Sequence, residues 1–130
     1  MSTPVAIALV AHQGCYLVGR RGPNGPLAGY FEFPGGKCHP GEAPEACAVR
    51  ECLEETGLPI EVVRLRQEIP HTYPYGTVHL YFFDCRLIPD ADPLQIHPNF
   101  RWIPQAKLAK YRFPEPNRLL LSELASESDM

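Results

Sequence analysis

The stretch from Gly36 to Leu58, GKCHPGEAPEACAVRECLEETGL, holds a set of residue types at fixed intervals. Gly36 is followed after five residues by Glu42, and after seven more by the pair Arg50-Glu51. Two residues later come Glu54-Glu55, then Thr56, Gly57 and the aliphatic Leu58. Each residue type makes up roughly 7% of an average protein, so seven matches in one register arise by chance about once in 10⁸. The spacing therefore demands a chemical reason.

A helix over Pro44 to Thr56 would begin on a proline, tolerated in the first turn, and stop at Gly57, which can take the left-handed conformation. At about 100° per residue, Ala46, Val49, Leu53 and Thr56 share one stripe, while Glu51, Glu54 and Glu55 gather on a sector roughly 170° away. The stripe is expected to pack and the opposite sector to collect carboxylates. Like charges at these spacings repel by a few tenths of a kcal/mol per pair, and a bound cation reverses that sign. Carboxylate oxygens are hard ligands suited to Mg²⁺ or Mn²⁺, whose other positions go to water and phosphate oxygens. Three glutamates alone would read as a solvated face. The complete spacing argues for a metal and phosphate site.

The segment resembles the Nudix box, the signature of hydrolases acting on nucleoside diphosphates linked to another moiety. The resemblance implies an α+β fold, an α/β/α sandwich with a mixed sheet, carrying a loop-helix-loop motif. On this chain Glu51, Glu54 and Glu55 become the metal-binding or base-supplying carboxylates, and Gly36 offers its carbonyl to Mg²⁺ or Mn²⁺. Glu42 and Arg50 hold loop and helix together, which counts Arg50 among the catalytic set with Glu51, Glu54 and Glu55. Cys52 stands where an aliphatic residue is usual, a change of packing and not of chemistry.

Composition agrees. A chain of 130 residues with 45% hydrophobic content is expected to form a single domain, residues 1–130, around one core. Net charge of -3 argues against a surface for a nucleic-acid polymer, while a single nucleotide needs only a few cations. The five cysteines are odd in number and include no CxxC pair, against a disulfide framework or zinc site. Val5 to Ala11 is too short to span a membrane and lacks a signal peptide's basic flank. The expectation is a reduced, cytoplasmic protein, monomer or homodimer.

Along the chain, Val5 to Ala11 and Cys15 to Arg21 read as a hairpin, followed by a glycine- and proline-dense loop from Gly22 to Tyr30. Phe31 to Phe33 is a short strand, after which Pro34-Gly35-Gly36 is expected to turn sharply beside the ligand. Ile60 to Ile69 and Val78 to Ile88 read as strands joined through His71 to Gly76, and Pro89 to Asn99 as a second long loop. Phe100 to Ile103 is a strand with Trp102 as a core anchor, and a short helix follows at Gln105 to Lys110. Pro114 to Leu124 closes the chain as a helix burying Leu119, Leu120 and Leu124.

Beyond the box the chain is similar to MutT-type nucleoside triphosphate pyrophosphohydrolases, which remove oxidised purine nucleotides such as 8-oxo-dGTP. Gly19-Arg20-Arg21, Phe31 to Gly36, and Phe113-Pro114-Glu115-Pro116-Asn117 carry this likeness. It implies that Arg21 contacts the nucleotide, Phe33 lies near the base, and Asn117 reads the purine edge. An amide suits that task because it presents a donor and an acceptor together. The plainer readings are a surface charge for Arg21, a core ring for Phe33, and a helix-start residue for Asn117. Lys37 or Arg21 would screen the phosphate oxygens. Residues 93 to 103 contain no Asp or Glu, so the general base is a box glutamate, with His97 as the other candidate. Asp90 and Asp92 read as turn residues. Alternatives are a hydrolase of another nucleoside diphosphate derivative, such as a pyrimidine triphosphate, ADP-sugar or dinucleotide, and a non-catalytic nucleotide- or lesion-recognition module.

Overall fold

The computed structural model describes residues 2–25 and 27–126, except the side chains of Leu119 and Ala125. The Leu119 contact expected on the closing helix, and Met1, Pro26 and residues 127–130 of the single-domain reading, lie outside the described residues. In chain order the elements are β1 (Thr3–His12), β2 (Cys15–Arg20), β3 (Phe31–Glu32), β4 (Gly35–Lys37) and α1 (Pro44–Thr56). Then come β5 (Ile60–Tyr73), β6 (Gly76–Leu87), β7 (Phe100–Pro104), 3₁₀ turns at Gln105–Lys110 and Glu115–Asn117, and α2 (Arg118–Ser126).

Strand β1 organises the molecule because its alternating side chains serve two cores at once. Ala6, Ala8 and Val10 enter a cluster with Cys47, Ala48 and Cys52 of α1, together with Phe83 and Cys85 of β6. Leu9, flanked by partly buried Val5 and Ile7, enters the other cluster with Leu80 and Phe82 of β6 and Leu120, Leu121 and Leu124 of α2. The sheet is thus covered on both faces, the α/β/α sandwich expected. Among the described residues it has seven strands on the path β3-β2-β1-β6-β5, with β4 paired to β1 and β7 to β2. The β1–β6 pairing is parallel, from Thr3 opposite Val78 to Val10 opposite Cys85, and the β1–β4 pairing is antiparallel, so the sheet is mixed.

Four expectations change, the last of them the start of the closing helix. The α1 stripe of Ala46, Val49, Leu53 and Thr56 is not the packed face: Ala46 is exposed, Leu53 is 50% exposed, and Val49 only partly buried. Of that stripe only Thr56 is buried, and Cys47, Ala48 and Cys52 join it on the packed face. At about 100° per residue, Glu51 and Glu55 fall inside the arc those four residues span, so these carboxylates border the packed face and do not oppose it. Small side chains on both sides, Ala6 and Ala8 below and Cys47, Ala48 and Cys52 above, let helix and sheet approach closely.

The second change concerns Gly35-Gly36, which extend antiparallel to β1 opposite Ile7 and Ala6, where a sharp turn was expected. Neither glycine has a positive φ. They are needed for space: a Cβ on Gly35 would strike the Ala6 backbone, and one on Gly36 would come 2.5–2.6 Å from the Glu51 carboxylate. Third, the His71 to Gly76 connection shrinks to Pro74-Tyr75, because β5 runs on to Tyr73, which pairs with Gly76. The half-buried alternation of Ile69, His71 and Tyr73 carries the strand through.

The helix ends stand as expected, with Pro44 in the first turn and Gly57 left-handed at φ 84°, its N–H on the Leu53 carbonyl at 2.9 Å. Trp102 is half-buried against the α1 cluster and donates its indole N–H to the Pro93 carbonyl at 2.8 Å, pinning the second loop. His97 ties that loop to α1 by giving its backbone N–H to the Thr56 carbonyl at 3.1 Å. The closing helix starts at Arg118, later than Pro114, with Leu120 and Leu124 fully buried. No helix of the described residues is long and apolar enough to cross a membrane.

Candidate active site

The segment of greatest chemical density lies where α1 crosses β4. Arg50 is its hub. The guanidinium donates from Nε to Glu42 Oε2 at 2.7 Å and from Nη2 to Glu42 Oε1 at 3.0 Å, a two-point clasp. Further donations reach the Lys37 carbonyl at 3.2 Å and both Glu54 carboxylate oxygens at 3.1 Å. Glu42 also accepts the His39 backbone N–H at 2.9 Å. The loop from Lys37 to Glu42 is thereby tied to the middle of α1, as the resemblance implied.

These contacts set the charge states. Arg50, followed by the His39 N–H, pulls the Glu42 pKa down to about 2. That pairing stabilises the fold above pH about 4.5 and is lost as pH falls toward 2. Glu51, with a side chain 16% exposed, is raised by desolvation, against which the Arg50 guanidinium works in the opposite direction. Glu55 is exposed, yet desolvation of its carboxyl, the largest cause, pushes its pKa up to about 7. The Gly35 N–H, donated to Glu55 Oε1 at 3.1 Å, opposes that shift without cancelling it. A carboxyl that titrates near neutrality suits proton transfer.

A stability prediction follows from Glu55. Its folded pKa lies above the ordinary 4.5, so the unfolded chain releases this proton first and stability drains away as pH rises from about 4.5 to about 7. In EDTA, Glu55→Gln should melt higher than the parent at pH 8, and the two should converge by pH 5. A Tm difference that stays constant across that range would contradict the assignment.

The remaining expected site residues divide between the faces of the sheet. Alternation in Phe31-Glu32-Phe33 sends Glu32 to the side opposite the rings, where its charge bears on Glu55 and it accepts from Arg21 Nε at 3.2 Å. Glu32 was missed in the sequence, although that period-two pattern marks it. Arg21 thus reaches the α1 side. Lys37 is exposed at the end of β4. Phe33 is buried at 5% in the α2 cluster, stacked on Phe113 with ring centroids 4.9 Å apart. Asn117, 7% exposed, ends the turn before α2 and donates its N–H to the Pro114 carbonyl at 3.0 Å. His97 is exposed, and Asp92 accepts the Leu94 N–H at 3.0 Å, a turn contact.

As the side chains stand, no three His, Cys, Asp or Glu groups among the described residues are clustered closely enough to hold a metal ion. Glu54 is turned to Arg50 and Glu55 to the Gly35 N–H. The donor chemistry nevertheless fits a hard divalent cation: three carboxylates and the Gly36 carbonyl, with the Glu51 carboxylate lying where a side chain at position 36 would stand.

A model of the NUDIX domain matches residues 5–123. The chain belongs to the NUDIX domain family. This NUDIX chain is 30% identical over 80 residues to the 8-oxo-dGTP diphosphatase of Escherichia coli, spanning 61% of this chain and 62% of that relative. It is 28% identical over 127 residues to a putative 8-oxo-dGTP diphosphatase 2 of Mycobacterium tuberculosis, covering 96% and 90%. An RNA pyrophosphohydrolase of Roseobacter denitrificans is 30% identical over 131 residues, covering 85% and 81%. Among solved structures, a MutT protein from Methanosarcina mazei superimposes with a TM-score of 0.78 at 23% identity, covering 99% and 96%. That likeness concerns the fold.

Proposed function

We propose that this NUDIX chain is a metal-dependent hydrolase that splits a nucleoside triphosphate, an oxidised purine such as 8-oxo-dGTP, into the nucleoside monophosphate and pyrophosphate. One observation carries the reading: Glu51, Glu54 and Glu55 stand with Arg50 along a glycine strand whose missing side chain at Gly36 admits the Glu51 carboxylate. Relatives named 8-oxo-dGTP diphosphatase support the substrate.

In this reading Glu51, Glu54, Glu55 and the Gly36 carbonyl hold Mg²⁺ or Mn²⁺, which requires Glu54 to leave the Arg50 fork. When bound, such a cation neutralises phosphate oxygens and lowers the pKa of water. Glu55, the box glutamate placed against the Gly35 N–H, accepts the proton of the attacking water. Arg21 and Lys37 bind phosphate oxygens, and Arg50 keeps the loop and helix in register while Glu54 moves. Phe33 and Asn117 receive the base from the α2 side. Three residues carry the chain from Phe33 to Gly36, at most about 11 Å, a distance suited to a base at one end and its phosphates at the other.

The test is a panel of ordinary and oxidised nucleoside triphosphates, 5′-triphosphate RNA, ADP-sugars and dinucleotides, comparing kcat/KM in Mg²⁺ and Mn²⁺. The expected winner is 8-oxo-dGTP. Asn117→Ala should erase about 10- to 100-fold of its advantage over dGTP, the worth of one two-point base contact. Equal rates across the panel would remove the purine reading, and preference for the RNA would move the chain toward its Roseobacter relative.

A further inference from the structure

The chain carries a net charge of -3, yet residues 105–122 hold four cations, Lys107, Lys110, Arg112 and Arg118, against one acid, Glu115. Folding gathers part of that charge around a hollow. A cavity of about 400 Å³ lies between residues 111–113 and the first turns of α2, lined by Arg112 and Arg118 and by no carboxylate. Phe113 and Leu121, 5% and 7% exposed, and the half-buried Tyr111 give it apolar walls, and Ser122 adds a hydroxyl. Neither Phe33 nor Asn117 lines it, and no residue of the carboxylate seam does. A hollow of this size suits a small organic molecule, whose sites span about 300–1,000 Å³.

The walls are anchored from behind. Phe113 stacks on Phe33 with centroids 4.9 Å apart, Tyr111 meets Phe31 edge-on at 4.7 Å, and the Arg112 carbonyl accepts the Phe31 N–H at 2.7 Å. The Arg112 guanidinium lies over the Tyr30 ring, 4.6 Å from its centroid. A stacked guanidinium gives its face to the ring and keeps its N–H edge for an anion. Neither Arg112 nor Arg118 pairs with a carboxylate among the described residues.

We propose that this cavity is a second binding site, apart from the carboxylate seam, for a phosphate monoester with a flat body. Arg112 and Arg118 take the phosphate oxygens through charge-assisted hydrogen bonds, and the Ser122 hydroxyl donates to another. The ring of the ligand lies against Phe113, Leu121 and Tyr111. Two guanidinium groups match the nearly doubled charge of a phosphate monoester better than the single charge of a carboxylate. The site does not rest on the proposed hydrolysis.

The full-length protein, isotope-labelled for NMR, is titrated in EDTA with phenyl phosphate, and separately with phenol, orthophosphate and benzoate. Phenyl phosphate should produce saturable amide shifts at Arg112, Phe113, Leu121 and Ser122. It should bind at least about tenfold more tightly than each of the other three, because it alone supplies both a doubly charged head and a ring to bury. Arg112→Gln combined with Arg118→Gln should weaken it at least about tenfold, the scale of charge-assisted hydrogen bonds. Ser122→Phe, which fills the hollow and leaves both charges, should weaken it as much. All three side chains are exposed, so these variants should melt within about 3 °C of the parent. Shifts confined to β4 and α1, affinity unchanged in either variant, or a control ligand that binds as tightly would overturn the site. Because the titration needs no turnover, a chain that hydrolyses nothing on the panel would defeat the proposed function and leave this site standing.

Discussion

Glu54→Gln is expected to lower kcat/KM about 10³-fold at saturating Mg²⁺, roughly 4 kcal/mol of transition-state stabilisation. The substitution keeps the side chain's volume and its capacity to accept from Arg50, but removes the charge offered to a cation. Its structural cost is small. The Glu54 side chain is 57% exposed and meets Arg50 at 3.1 Å, an i,i+4 surface pair. Such pairs contribute about 0.2–1 kcal/mol. Melting curves should therefore nearly superimpose while turnover collapses. A variant that hydrolyses its best substrate at the parent rate, with Mg²⁺ in excess, would strip Glu54 of its role and the proposed chemistry of its central ligand.

The adjacent glycines should fail in different ways, and the contrast separates positioning from folding. A Cβ at position 36 would sit 2.5–2.6 Å from the Glu51 carboxylate, which is the free end of a flexible side chain. Gly36→Ala should fold, push Glu51 aside and lose about 10²-fold in kcat/KM, the scale expected when a working group moves by about 1 Å. At position 35 the obstacle is backbone, the Ala6 carbonyl and the Ile7 Cα, the latter at 2.9 Å. Neither retreats without parting β4 from β1. Gly35→Ala should destabilise the fold by about 2–3 kcal/mol and lower Tm accordingly. Thermal melts and kinetics on both variants decide the matter. A fully active Gly36→Ala would show that the seat of Glu51 against position 36 is dispensable, and a Gly35→Ala that melts like the parent would show that β4 yields.

Much of the architecture was legible because it depends on local signals. Pro44 and Gly57 bound α1 through dihedral preference alone. The apolar run of Val5 to Ala11 and the turn after it mark a hairpin, and the α/β/α arrangement follows from the resemblance carried by the box. The Glu42–Arg50 clasp was likewise implied by the box, and it stands in the structure. The helical wheel, by contrast, misplaced the packed face of α1. It weighed Leu53 above Cys52 by hydrophobicity, whereas the interface takes thiol and methyl groups and leaves Leu53 in solvent. Close approach to Ala6 and Ala8 decides that choice, and no property of the helix sequence alone contains it.

What the amino-acid order determined by itself was therefore a helix of known ends carrying its acids at fixed spacing, the strands around it, and membership in a family of shared fold. Only the folded chain decided that Glu51 and Glu55 border the buried face and that Gly35 and Gly36 serve by lacking side chains. The reason is physical. Dihedral preferences and periodicity act within a few residues, but exclusion of water from a carboxylate depends on what a distant strand places against it.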